Sequence, residues 1–152
     1  MIGNRSGSLL EKVVGIVLLL IGISRLAFLL YSYTGYTLAQ LSFLNQAKGF
    51  IVHLIHIIAG VLLYKERKTG YWQAVVIIFY MILNVLGWIF IMLVKKWFAI
   101  PVLIVYIFLI SVLLLPSIRR KYAFTVSGIA ICFGISFLFT ISNLIVSFIQ
   151  KL

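Results

Sequence analysis

The feature that most constrains this chain is the apolar run from Val13 to Tyr33, which holds a single charged residue, Arg25. VVGIVLLLIGISRLAFLLYSY is long enough to cross a bilayer, because about 20 helical residues span ~30 Å of hydrocarbon. A guanidinium keeps its proton inside proteins. Below the headgroups it therefore needs an anion, a set of carbonyls, or a path by which to reach upward. No other apolar run carries Asp, Glu, Lys or Arg near its middle.

Composition settles the broad class. Of 152 residues, 64% are hydrophobic and only two, Glu11 and Glu66, are acidic. Together with a mean hydropathy of +1.25 this describes an integral, multi-pass membrane protein and excludes a soluble domain. The connections are too short to fold separately, so a single membrane domain covering 1–152 is expected, with the cell membrane as its location. The net charge of +11 does not point to nucleic acid. Its Lys and Arg fall in twos and threes between apolar runs, as topology signals do, and not along a phosphate-tracking groove. The lone Cys132 excludes an intrachain disulfide. A retained first helix is expected in preference to a cleaved signal peptide, because Arg25 interrupts the run and Tyr31, Ser32 and Tyr33 make no small-residue cleavage site.

The pattern predicts an all-α transmembrane helical bundle of five crossings, at about 13–33, 49–64, 71–94, 98–115 and 123–150. The alternative is four crossings, with the serine-rich last segment not spanning. Ser8 and Glu11 form an S-x-x-E pair expected to cap the first helix. Residues 34–48 suggest a short interfacial helix or an early start to the second crossing. Lys65–Gly70 reads as a polar turn, and Tyr71 and Trp72 as interfacial aromatics. Pro101 is expected in the first turn of the fourth helix and Pro116 just past its end. With the N-terminus inside, the inner side holds Arg5, Lys12, Lys65, Arg67, Lys68, Arg119, Arg120 and Lys121. The outer side holds Lys48, Lys95, Lys96 and Lys151. The imbalance favours N-in and C-out.

Chemistry-bearing motifs are few. There is no phosphate-cradling glycine loop, no HExxH, no CxxC and no acidic pair, which argues against an enzyme. His53 and His56 stand at i and i+3, but catalytic zinc usually takes three protein ligands and no third is near, so no metal or haem is expected. What remains is a set of stripes at helical spacing. Glu11, Gly15, Leu18, Gly22 and Arg25 share one face, as do Gly49, His53, His56, Gly60 and Tyr64. Gln73, Tyr80, Asn84 and Gly87 form a third. Thr125, Gly128, Cys132, Ser136, Thr140, Asn143 and Ser147 form a fourth. Small residues and hydroxyls on such faces, notably Gly15, Gly22, Gly60, Gly128, Ser136 and Thr140, suit close helix contact in lipid.

Depth adds a functional reading. At 1.5 Å per residue, Arg25 lies about 12 Å beneath the outer end of its helix, and His53 and His56 lie about 8 and 12 Å below Lys48. Asn84, Tyr106 and Asn143 fall near the same level. One fixed cation, two imidazoles, two amides and a phenol, with no carboxylate, would select an anion. The sequence therefore suggests a non-enzymatic protein that binds an anionic lipid or hydrophobic anion in the outer half of the bilayer through Arg25, His53, His56, Asn84, Tyr106 and Asn143. It would act as a transporter, a lipid-handling component or a complex subunit. The competing reading is an accessory or immunity-type protein working through helix contacts, with Arg25 facing an acidic residue of a membrane partner or with the chain forming a homo-oligomer.

Overall fold

The computed structural model describes residues 3–35, 43–92 and 96–149, with side chains described at 9–31, 48–87, 89 and 99–145. Among the described residues six α-helices follow in order: α1 (Gly3–Gly35), α2 (Phe43–Tyr64), α3 (Lys68–Met92), α4 (Lys96–Leu113), α5 (Pro116–Lys121) and α6 (Val126–Ile149). No strand occurs among the described residues. Three stretches, Leu9–Tyr31, Lys68–Gly87 and Val126–Ile145, are long and apolar enough to cross a membrane, while Lys48–Tyr64 and Ala99–Leu113 are shorter apolar helices. The expected interfacial stretch at 36–42, Lys95 and Lys151 lie outside the described residues. The chain divides into two compact units, Met1–Ala74 and Val75–Leu152.

In the first unit α1 and α2 form a helical hairpin whose backbones nearly touch. A Cβ added at Gly15 would stand 2.8 Å from Tyr64 N and 2.9 Å from Gly60 O. One added at Gly60 would stand 2.6 Å from Gly15 O and 2.7 Å from Leu19 N. Glycine is needed here because any side chain would have to occupy the space of the neighbouring main chain. At the far end of the hairpin Lys12 Nζ pairs with Glu66 Oε1 at 3.1 Å.

The α2–α3 turn is closed by hydrogen bonds, not by a long loop. Arg67 N–H donates to Leu62 O and Glu66 N–H to Leu63 O, at 2.9 and 2.8 Å, while Glu66 takes the left-handed conformation at φ 56°. This is the helix-ending arrangement that normally recruits glycine. The same pattern ends α5: Phe124 N–H reaches Arg119 O, Ala123 N–H reaches Arg120 O, and Ala123 has φ 51°. Gly70 then lets α3 start directly against α2, since a Cβ there would lie 2.5 Å from Leu62 C and Leu63 N.

Two local expectations are corrected. α1 already runs from Gly3, so Ser8 lies inside a helix and is not its N-cap; Glu11 is instead fully buried. α4 begins at Lys96, which makes Pro101 an interior residue whose missing amide removes a bond to the carbonyl of residue 97. Pro116 lies just past the end of α4, as expected, and also begins α5, where its fixed φ suits a first helical position. Tyr71, near the start of α3, is fully buried against the protein. α6 starts at Val126 and is capped by Thr125, whose Oγ1 accepts Gly128 N–H at 3.2 Å.

In the second unit α6 turns Gly128, Cys132, Ser136 and Thr140 inward and its bulky residues outward. Ser136 Oγ lies 2.8 Å from Val76 O of α3 and 2.7 Å from Cys132 O of its own helix, so its single proton serves two acceptors. Thr140 Oγ1 donates to Ser136 O at 2.9 Å. Phe79 meets Phe133 edge to face, with centroids 5.6 Å apart. Outward faces are large and apolar, with Phe108, Leu138 and Phe139 each more than half exposed. Such surfaces are costly in water and natural in lipid.

Candidate polar site on the helical hairpin

Three contacts fix the antiparallel register of the α1–α2 hairpin: Lys12 with Glu66, Gly22 with His56, and Gly49 with Leu29. In that register Arg25 stands level with His53, and His56 lies one turn further along. A Cβ on Gly22 would be 3.0 Å from His56 Cβ, so the glycine before Arg25 is what allows the histidine-bearing face of α2 to come close. Arg25 is within electrostatic range of both imidazoles.

The two rings differ in their hydrogen bonding. His56 is completely buried, and its Nδ1 lies 2.8 Å from Val52 O. A carbonyl only accepts, so Nδ1 carries the proton and Nε2 holds the lone pair. His53 is half-buried, and its Nδ1 is sealed from solvent with no hydrogen-bond partner among the described residues. The ring centroids are 6.3 Å apart at a tilt of 50°.

Charge is distributed unevenly along this hairpin. Glu11 precedes Arg25 by 14 residues, which is about 21 Å along a helix. Glu66 faces Lys12 and so belongs to the same far end. Neither carboxylate can reach the guanidinium. One end of the hairpin is thus electrically mixed, and the other carries Arg25, His53, His56 and Lys48 without an acidic residue. Comparison with protein-family models, curated proteins and solved structures found no match.

The remaining candidates belong to the second unit. Asn143 Nδ2 donates a short hydrogen bond to Tyr80 Oη. Tyr80 was legible only as a member of a stripe; its partnership with Asn143 depends on how α3 and α6 meet. Asn84, one turn beyond Tyr80, is half-buried with an Nδ2 that has no hydrogen-bond partner among the described residues. Tyr106 of α4 is fully buried. No group of three His, Cys, Asp or Glu able to hold a metal ion occurs among the described residues. A groove of about 410 Å³ lies elsewhere in the first unit, along the start of α3, lined by Lys68, Thr69, Trp72 and Gln73.

Proposed function

We propose that this is a small, non-enzymatic, five-crossing protein of the cell membrane, N-in and C-out, that binds an anionic lipid or hydrophobic anion in the outer half of the bilayer. The observation that carries the reading is the lopsided charge of the hairpin, where Arg25 and two imidazoles share one level and both carboxylates sit about 21 Å away. An obligate cation in that setting is best satisfied by an anion brought in from outside the fold. Arg offers a planar fork suited to phosphate or carboxylate, Lys48 adds a second positive charge at the same end, and the imidazoles add hydrogen-bonding groups. Acting as a transporter, a lipid-handling component or a complex subunit are the roles that such binding would serve.

The test is retention of anionic lipid by the purified wild type, Arg25→Lys and Arg25→Leu, with thermal stability followed in parallel. Arg25→Lys should weaken retention because it keeps the charge and loses the fork. Arg25→Leu should abolish it with the fold intact. Equal retention by all three would remove Arg25 from the site. If Arg25→Leu instead released a stoichiometric membrane protein, the cation would be pairing an acidic residue of that partner.

A further inference from the structure

Building on the anion-binding reading, we infer that His53 is a second ligand-binding residue, and that the site is matched to a phosphate monoester and not to a diester. The argument is one of charge balance in a medium where net charge is expensive. Arg25 alone balances the single negative charge of a phosphodiester. A phosphate monoester carries between −1.5 and −2 near neutral pH, since its second ionisation lies at about pH 6. Balancing it takes one further proton at the site, and the hairpin supplies a place for that proton.

The place is His53. It is level with Arg25 across the closest-packed seam of the unit, and its Nδ1 is shielded from solvent with no hydrogen-bond partner among the described residues. His56 is less suited, because its Nδ1 proton is already committed to Val52 O. Among the described side chains of the first unit, the other charged or titratable groups at this end are Arg25 and the exposed Tyr31 on α1 and His56 and Lys48 on α2. Glu11 and Glu66 lie at the opposite end, so no carboxylate competes for the proton. With a monoester bound, the phosphate oxygens face a guanidinium on one helix and an imidazolium on the other. A diester leaves His53 neutral and forgoes that contact.

Linkage then fixes the pH dependence. Above the ordinary titration ranges of imidazole and of the monoester, binding must take up a proton, so monoester affinity falls by up to tenfold per pH unit. Diester affinity stays flat, because neither its charge nor that of Arg25 changes.

The experiment uses the full chain in neutral detergent and compares phosphatidic acid, a monoester lipid, with phosphatidylglycerol, a diester, by native mass spectrometry and ligand-induced thermal shift. Wild type should prefer phosphatidic acid at least fivefold at pH 6, and the preference should shrink steeply by pH 8. His53→Gln should bring the ratio to about one, with the loss falling mainly on phosphatidic acid. His53→Lys, which keeps a cation at all these pH values, should hold the preference through pH 8 and so separates the charge from any folding defect. Displacement of phosphatidic acid by inorganic phosphate would identify a free phosphate as the natural source of the same chemistry. Equal retention of the two lipids by wild type at pH 6, or a wild-type ratio in His53→Gln, would overturn the inference. If both lipids depend on Arg25 and neither on His53, only this inference fails; if Arg25→Leu retains both, the anion-binding reading fails with it.

Discussion

A methyl group added at Gly60 would collide with the backbone of α1, whereas one added at Gly87 or Gly134 would meet nothing within 4 Å among the described residues. The two units hold their helices together in different ways. In the first, glycines remove side chains from the seam and main chain lies against main chain. In the second, hydroxyl and amide side chains reach across, as Ser136 does to Val76 and Asn143 to Tyr80. Water is absent between lipid-embedded helices, so close dispersion contact and interhelical hydrogen bonds are the two forces available, and each unit leans on one of them. The close approach at Gly22 belongs to the same register that sets Arg25 level with His53 on the facing helix.

Breaking the contrast most severely should be Gly60→Ala. Its Cβ cannot be accommodated by a side-chain shift, since the atoms it meets are backbone, and a loss of about 1–3 kcal/mol is expected. Gly87→Ala or Gly134→Ala should instead be neutral or stabilise by up to about 1 kcal/mol, from helix propensity alone. Reversible unfolding in mixed micelles measures both, and equal losses at all three positions would erase the distinction between the units.

The left-handed helix ends sharpen the comparison on a smaller scale. Ala123→Gly should raise stability by about 1 kcal/mol, because a Cβ at φ 51° is strained and glycine is not. Glu66→Gly at φ 56° should gain less, since it also removes the partner of Lys12. A larger gain at Glu66 than at Ala123 would mean that the ion pair contributes nothing.

Ser136→Ala probes the second unit's own mode and should cost about 0.6 kcal/mol, the usual worth of an interhelical hydrogen bond in a membrane protein. Thermal unfolding beside Ser111→Ala supplies the control, because Ser111 bonds only the carbonyl of Ile107 on its own turn. The smallest effect belongs to Lys12→Gln. Its pair with Glu66 is partly exposed, so a loss of no more than about 0.5 kcal/mol is expected, fading as salt is raised.

The sequence located the helices because lipid demands long apolar runs, and their cores fall where hydropathy and flanking charges put them. Helix ends were harder to read. S-x-x-E is compatible with a cap and equally with a helix interior, so Ser8 did not reveal that α1 reaches back to Gly3. Pro116 shows the same ambiguity, since proline both follows one helix and opens the next. Glu66 and Ala123 gave no sign of their left-handed backbone, because glycine is the residue that normally signals it. For the site, counting from helix ends placed Arg25 at the depth of His56, while the hairpin register puts it level with His53. That one-turn difference depends on how α1 and α2 interlock, which no residue pattern within a single helix records.

The glycine seam also has a consequence for traffic. At Gly15, Gly22 and Gly60 the two helices leave no space for even an added methyl group, let alone a file of water molecules. A solute resting beside Arg25 therefore cannot continue along the α1–α2 interface toward Lys12 and Glu66. An anion held beside Arg25, as proposed, would thus sit at a dead end within this hairpin, and would leave as it entered, by the Lys48 end or sideways into the acyl chains.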